Sequence, residues 1–362
     1  MRKAILSRPW VAPLAGLLLA LVAGLSCTWL RTPLPWMIGP LFALAAARLA
    51  GFAVVAVPGS RYGGQWIIGT ALGLYFTPVV VRQVAEFAPW MVLAGVYSLI
   101  VGFAAAWVLA RLSAVDNRTA FFASVPGGAT EMSMLAERFG ARTDLVAVAQ
   151  SLRIVIVVSV IPFSFAWLDV HGADPYVQGA RTFSWIGLAT LLALTAVGGA
   201  ALHRFRFPNG WVIGALCVSL PLTAAEINLS SLPGWLSNAG QLLIGSALAS
   251  RFQQDFLARA PRYLASVVGS VLVAIAMSAL FGVFLAWAMP AHPATLVLAT
   301  APGGIAEMAI TAKVLQLGVP VVTAFHVMRM VLLVTTTGAV YRFASGWRAR
   351  RKAPANGKEE QP

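Results

Sequence analysis

The longest uncharged stretch of the chain restricts its fold more than any other feature. Between Arg262 and Glu307 there are 44 residues without a single Asp, Glu, Lys or Arg. As a helix, a stretch of this length would extend about 66 Å, at about 1.5 Å per residue. That is more than one crossing of a hydrocarbon core, which is about 30 Å thick. The stretch therefore predicts membrane-spanning helices.

Composition extends this prediction to the whole chain. Hydrophobic residues make up 59% of the 362 residues and charged residues 10%, whereas a soluble domain carries roughly 25% charged residues. We therefore predict an all-α polytopic protein of the bacterial inner membrane, with the lipid bilayer as its main partner. The net charge is +14, but the basic residues lie in short loops, where they set topology. No element for binding nucleic acid is predicted.

The two halves of the chain repeat one another. The motif PGGATEM at Pro126–Met132 recurs as PGGIAEM at Pro302–Met308, 176 positions later. The segments WMIG and WVIG, which begin at Trp36 and Trp211, are another ordered pair. Several such matches at nearly constant spacing indicate an internal duplication. The predicted organisation is a cytoplasmic N-terminus (1–8), membrane repeat 1 (9–170), a periplasmic linker (171–182), membrane repeat 2 (183–345) and a basic, disordered cytoplasmic tail (346–362).

The distribution of basic residues predicts the orientation of the two copies. If the segments around the PGG motifs, 119–136 and 294–317, enter and leave on the same side, both termini are cytoplasmic and 20 of the 26 basic residues lie inside. If both segments crossed fully, seven arginines between Arg138 and Arg262 would move outside, against the positive-inside rule. We therefore predict about ten transmembrane helices plus two re-entrant segments, arranged as two inverted repeats like those of many secondary transporters.

Each PGG motif places irregular backbone and an acid in apolar surroundings. Such backbone must be buried in protein or line a wet cavity, because lipid cannot pair bare N–H and C=O groups. The paired glycines let another backbone or a ligand come close. The acid falls in the first turn of the following half-helix, where it could cap that helix, bind a coupling cation or carry a proton. The alternative is a purely structural turn with a capping acid.

A helix with a polar face follows each motif. Gln150 and Arg153 share one helix face, and His326 and Arg329 repeat the arrangement. Two interpretations stay open: each arginine pairs with the acid of its motif, or it provides a fork for a carboxylate or phosphate on a small anionic substrate. The candidate substrate- or ion-binding residues are Gly127, Gly128, Glu131, Gln150, Arg153, Gly303, Gly304, Glu307, His326 and Arg329, with Gln65 and Gln241 as weaker candidates.

No catalytic residue, metal or cofactor is predicted. The four histidines are scattered without metal-ligand spacing. The sequence also contains no nucleophile elbow, phosphate loop or dinucleotide fingerprint. We therefore predict that the protein is not an enzyme.

The duplicated unit resembles the AbrB family of Gram-negative integral membrane proteins. The segments that carry the resemblance are PWMIG (Pro35–Gly39) and PGGATEM in the first copy, and GWVIG (Gly210–Gly214) and PGGIAEM in the second. The family shares its name with an unrelated soluble DNA-binding regulator. It carries two labels, regulator of AidB expression and ammonia monooxygenase. The resemblance thus implies a regulatory or an oxygenase role, and it supplies no site residues.

Three functions compete on this basis. The leading hypothesis is a secondary transporter of a small solute, with an anion as the first candidate and a proton or cation as coupling ion. In that hypothesis the two PGG tips meet near the membrane midplane. The alternative is a membrane-bound regulator of gene expression that acts through a partner, and the third is a membrane monooxygenase. Assembly as a homo-oligomer is open.

Overall fold

In the computed structural model, residues 10–172, 176, 178–179, 182–252 and 261–352 are described, and they form fifteen helices and no strand. The helices of the first copy are α1 (Val11–Trp29), α2 (Pro35–Leu49), α3 (Ser60–Gly73), α4 (Pro78–Glu86), α5 (Ala88–Ser113), α6 (Asn117–Ser124), α7 (Ala129–Arg138) and α8 (Thr143–Trp167). Those of the second copy are α9 (Trp185–Arg204), α10 (Gly210–Ala224), α11 (Gly234–Ala249), α12 (Pro261–Ala288), α13 (Pro293–Thr300), α14 (Ile305–Val314) and α15 (Val319–Lys352).

The helix lengths confirm a multi-pass membrane architecture. Six helices (α1, α5, α8, α9, α12 and the first 25 residues of α15) are long and apolar enough to cross a membrane. The pair α3 and α4, bent by 94° at the break between them, raises the number to seven. The predicted number of ten crossings requires the short helices α2, α3, α10 and α11 to cross as well.

Two predicted boundaries differ from the structure. The sequence predicts one span over 63–81, but α3 ends at Gly73 and α4 begins at Pro78. Proline suits the first turn of a helix and disfavours helix in the residue before it, which accounts for the break. The predicted disordered tail is helical as far as Lys352, because α15 continues into it. Residues 1–9, 353–362 and half of the predicted linker lie outside the described residues.

The corresponding helices α5 and α12 pack antiparallel. Tyr97, the tenth residue of α5, stacks on Phe281 in the last third of α12, with ring centroids 4.0 Å apart. Near the end of α5, the carbonyl oxygen of Leu112 accepts a hydrogen bond from Arg262 at the start of α12 (3.2 Å). The start of one helix therefore faces the end of its counterpart.

Another repeated pair of segments is QWIIG (Gln65–Gly69) and QLLIG (Gln241–Gly245). The final glycine of each segment lets helices of opposite copies touch at the backbone. A Cβ added at Gly69 in α3 would lie 2.4 Å from the carbonyl oxygen of Val212 in α10. The equivalent Cβ at Gly245 in α11 would lie 2.2 Å from the carbonyl oxygen of Met37 in α2. Both distances are shorter than real Cβ contacts. The WMIG and WVIG segments thus form the surface on which the glycine of the other copy packs.

Both PGG segments double back on themselves. In the first copy, the backbone N–H of Arg142, just after α7, donates to Oγ1 of Thr119 near the start of α6 (3.0 Å). In the second, the N–H of Gly318, after α14, donates to Oγ1 of Thr295 near the start of α13 (3.2 Å). We call α6–α7 and α13–α14 the first and second hairpins. Each begins and ends on one side of the bundle.

The two hairpins start from opposite ends of α8. This helix begins at Thr143, beside the base of the first hairpin, and runs for 25 residues, or about 37 Å at about 1.5 Å per residue. Shortly after its end, the N–H of Gly172 donates to the carbonyl of Leu315 at the base of the second hairpin (3.0 Å). The hairpins therefore point toward each other from opposite faces.

Substitution of Gly69 by alanine tests the close helix contact. We expect Gly69→Ala to destabilise the protein by about 1–3 kcal/mol, because the new methyl group overpacks the α3–α10 interface. Gly63→Ala on the same helix is the matched control, since its Cβ would meet only the Leu243 side chain, at 3.6 Å. Unfolding of the purified protein in detergent measures both. Equal stability of the two variants would contradict the packing described.

Candidate functional site

The tip of each hairpin is a helix break made by the PGG sequence. Pro126 lies between α6 and α7, and Pro302 lies between α13 and α14. Each proline removes an N–H and stops the preceding helix. The second glycine of each motif, Gly128 or Gly304, is the extended N-cap of the next helix (φ −70° and −84°). The carbonyl groups just before that cap have no helical partner.

An arginine from the following long helix binds these carbonyl groups. In α8, the guanidinium of Arg153 donates to the carbonyl oxygens of Val125 (3.1 Å) and Gly127 (2.9 Å). In α15, Arg329 donates to the equivalent oxygens of Ala301 and Gly303. Each arginine therefore holds its own tip through a two-point contact, and the two contacts correspond atom for atom between the copies.

The arginines do not pair with the motif acids in the part of the chain that is described, where the ion pairs are Arg142–Asp144 and His171–Asp169. The structure gives each arginine a role that neither interpretation included, which is to bind the backbone carbonyl groups of its own tip. These contacts use only the Nη atoms of the two arginines, and the Nε atoms take no part in them. Arg153 and Arg329 are only 4% and 5% exposed, and among the described residues neither Nε has a hydrogen-bond partner.

The neighbouring polar residues differ between the copies. Gln150 donates through Nε2 to the carbonyl oxygens of Phe122 (2.8 Å) and Val125 (2.9 Å), so it also supports the first tip. Its counterpart His326 contacts the carbonyl of Val322, one turn earlier in its own helix, through Nδ1 (2.9 Å). Gln150 thus holds the backbone of the first tip, and the buried ring of His326 lies against the carbonyl of Ala301, the equivalent of Val125, at the second tip.

The glycines of the motif make room for its own Glu and Met. A Cβ on Gly128 would lie 1.7 Å from Oε2 of Glu131, and a Cβ on Gly127 would lie 2.6 Å from Cε of Met132. The second copy repeats both contacts, with Glu307 over Gly304 and Met308 over Gly303. The close approach predicted for another backbone or a ligand is therefore made by the motif itself. Each carboxylate lies over the N-cap of its helix, where a negative charge is stabilised.

The two tips meet at one cavity of about 80 Å³. It opens between three helix ends that lie on one side of the bundle, at the start of α3, the start of α10 and the end of α11. The residues named from the sequence that line it are Gln65, Gly127, Gly128, Arg153, Gly303, Gly304, Glu307, His326 and Arg329. Glu131, Gln150 and Gln241 are not among its lining residues.

Three polar lining residues were not predicted from the sequence. Arg61, Asn209 and Arg251 lie at the three helix ends named above and are half-buried. Together with Gln65, which is also half-buried, we call them the mouth residues. Asn209 Oδ1 accepts from Gln65 (3.2 Å) and Arg61 (3.5 Å), and Arg251 donates to Oγ of Ser151 (2.8 Å). Arg61 lies one helical turn before Gln65, which would have placed both on one face. The basic-residue pattern of the sequence predicts Arg61 and Arg251 only as charges of short cytoplasmic loops.

The lining is strongly cationic. It contains four arginines (Arg61, Arg153, Arg251 and Arg329) and one carboxylate, that of Glu307. The first turns of α7 and α14 also line it, and the N-terminal end of a helix attracts anions. The arrangement is suited to binding a small anion. Over the described ranges, no group of three or more His, Cys, Asp or Glu residues could hold a metal ion.

Comparison with known proteins identifies related sequences. The family described as "Transition state regulatory protein AbrB" matches residues 36–345. The Escherichia coli (strain K12) protein named "Putative regulator AbrB" is 25% identical over 342 residues, covering 93% of this chain and 98% of the relative. "Uncharacterized protein YhjN" of Bacillus subtilis (strain 168) is 27% identical over 347 residues, covering 85% of this chain and 86% of the relative. A Bacillus relative extends the resemblance beyond Gram-negative bacteria. No solved structure matches this chain.

A double substitution tests why the motif contains its second glycine. We expect Gly128→Ala to cost about 1–3 kcal/mol of stability, because the methyl group takes the position of the Glu131 carboxylate. In the Glu131→Ala background, the same change should cost less than about 0.5 kcal/mol, since the obstacle is gone and the two sites are coupled. Unfolding in detergent measures the four proteins. An equal cost in both backgrounds would mean that the glycine serves something other than Glu131.

Proposed function

The chain belongs to the AbrB family, and we propose that this membrane protein is a secondary transporter of a small anionic solute. One observation carries the proposal. Two tips from opposite faces, each held by an arginine, share one cationic cavity that is lined by four arginines. Paired helix breaks in corresponding positions of two repeats are the form that solute sites take in many secondary transporters.

We further propose ten crossings, two re-entrant hairpins and two inverted repeats. The antiparallel packing of α5 on α12 and the opposed bases of the hairpins support this arrangement. The positive-inside rule then assigns both termini and the cavity mouth, with Arg61 and Arg251, to the cytoplasm of a bacterial inner membrane. In this topology the cavity is open to the inside.

The counterpart of the cavity on the other face is closed. The mouth residues are half-buried, whereas the residues at equivalent positions of the other copy are buried. Inverted repeats can exchange conformations, so the face that is closed in one state opens in the other. The mouth residues Arg61, Gln65, Asn209 and Arg251 correspond to Ser237, Gln241, Leu34 and Tyr75.

The two motif acids are candidates for the coupling ion. Glu131 and Glu307 are half-buried over the N-caps of their helices, and acids at membrane depth are costly unless they serve a function. In this conformation Glu307 lines the cavity and Glu131 does not. Exchange between the two states would bring each acid to the cavity in turn, which gives both a role in carrying a proton or a cation.

Uptake into proteoliposomes tests the coupling role. We expect Glu131→Gln and Glu307→Gln each to reduce uptake driven by a proton or sodium gradient at least tenfold, because the neutral amide cannot exchange the ion. Glu137→Gln, which removes an exposed acid of α7, is the matched control and should transport normally. Uptake that is intact in both motif variants would exclude the coupling role.

Thiol labelling tests alternating access. In a background with Cys27 and Cys217 replaced by alanine, Gln65→Cys should react from the cytoplasmic side with a membrane-impermeant thiol reagent. Gln241→Cys, which replaces a residue only 5% exposed, should be protected. It should react from the periplasmic side once a transported solute shifts the population of states. Labelling of both positions at the same rate without solute would contradict a one-sided cavity.

A regulatory function is the second candidate, because the family description and the name of the E. coli relative both refer to a regulator. A regulator acting through a partner needs a cytoplasmic contact, and the basic end of α15 is the obvious one. Truncation after Trp347 would then alter gene expression, whereas the Glu131→Gln and Glu307→Gln variants would regulate normally. The opposite result supports transport.

A further inference from the structure

A hydrogen bond fastens the second hairpin to the closed face of the bundle. Near the end of α14, Nζ of Lys313 donates to Oγ of Ser237 at the start of α11 (3.2 Å). Lys313 is half-buried and Ser237 is buried. The base of a hairpin and a helix end are thereby joined on the face where the counterpart of the cavity mouth is shut.

Both positions joined by this bond have equivalents on the open face. The spacing of 176 residues that relates the two PGG motifs makes Arg61 the equivalent of Ser237. The same spacing makes Glu137 the equivalent of Lys313, and each is the ninth residue of a ten-residue hairpin helix. A cation and a hydroxyl on the closed face therefore correspond to a carboxylate and a cation on the open face.

The equivalent contact is not made on the open face. Arg61 donates to Oδ1 of Asn209 (3.5 Å), and Glu137 is exposed. Neither residue belongs to the ion pairs found within the described ranges. An exposed ion pair contributes little, so keeping these two charges apart in water costs little. A contact present on the closed face and absent from the open face is what an element that holds a face shut requires.

Arg61 and Glu137 lie on the same face of the bundle. Glu137 is in the last turn of α7, and the first hairpin ends at Arg142, directly before α8. The mouth residue Arg251 donates to Oγ of Ser151 in the third turn of α8 (2.8 Å). The mouth and the base of the first hairpin therefore adjoin the same end of α8.

We propose that Glu137 and Arg61 form an ion pair that shuts the mouth in the opposite state, a proposal that rests on the transport function above. Inverted repeats exchange conformations between the two states. The first hairpin then takes the position relative to α3 that the second hairpin has relative to α11. The Glu137 carboxylate accepts hydrogen bonds from the Arg61 guanidinium, whose planar fork matches it. We call this pair the mouth latch.

Cross-linking tests whether the mouth closes between these residues. In the background without native cysteines, a short bifunctional thiol reagent is applied to the full chain in proteoliposomes. Ser237→Cys with Lys313→Cys is the positive control, because those side chains are in contact. Arg61→Cys with Glu137→Cys should react at least about tenfold faster than Arg61→Cys with Arg138→Cys, since adjacent helix residues face different ways. Equal rates for the two mouth pairs would overturn the proposal.

Charge reversal tests whether the two charges attract. Gln241→Cys reports the state with a shut mouth, because the periplasmic reagent reaches it in that state. Glu137→Lys should slow this labelling at least about threefold, since two cations then meet at the latch. Adding Arg61→Glu should restore the original rate, and Arg138→Glu should leave it unchanged. Melting temperature in detergent reports the folding of each variant. Labelling that is not slowed by Glu137→Lys, or not restored in the folded exchanged pair, would overturn the proposal.

The amide variant explains why uptake alone does not reveal the latch. In Glu137→Gln the side-chain oxygen still accepts from Arg61, as the neutral Ser237 oxygen accepts from Lys313 on the closed face. We expect this variant to slow Gln241→Cys labelling less than about twofold, in keeping with normal transport. A slowing as large as that of Glu137→Lys would contradict a contact of this kind.

Uptake also separates the latch from the transport function. If wild-type proteoliposomes accumulate acetate, succinate or phosphate while both latch tests fail, the protein is a transporter and the latch is wrong. If both latch tests succeed and none of these anions is accumulated or exchanged, the latch stands as the gate of a two-state membrane protein and the transport function loses its support.

Discussion

The structure depends on how two broken stretches of backbone are satisfied inside a membrane protein. A bare carbonyl at membrane depth costs several kcal/mol because lipid offers it no donor. Arg153 and Arg329 each supply two donors to the carbonyl groups at one break. A hydrogen bond to a charged group contributes about 1.5–3 kcal/mol, and the carbonyl dipoles in turn stabilise the buried guanidinium. This mutual contact lets a PGG tip lie in the middle of the bundle.

The rest of the site follows from that contact and from its duplication. The glycines are needed because the motif folds its Glu and Met back onto its own tip. The two hairpins begin at opposite ends of α8, so their tips converge on a shared cavity. The repeated part of the sequence thus builds the framework of the site. Arg61, Asn209 and Arg251, which are not repeated, make the lining of the cavity asymmetric.

The duplication and the charge pattern could be identified in the sequence because both depend only on the order of residues along the chain. The identity of the tips and the equivalence of Arg153 and Arg329 followed from the spacing of the repeated motifs. The partner of each arginine did not, because a sequence lists side chains and the partners here are backbone carbonyls. The break before Pro78 was missed because the apolar run continues across it. Arg61, Asn209 and Arg251 were missed because they reach the cavity from three separate helix ends.

The central claim is that the cavity between the two tips is the solute site. Electron cryomicroscopy of the protein in lipid nanodiscs tests this most directly, with the small anion that raises its melting temperature most. We predict ligand density between the guanidinium groups of Arg153 and Arg329, absent from a matched ligand-free map. An unchanged cavity, with ligand density elsewhere, such as the depression near Gln83 and Glu86, would contradict the account.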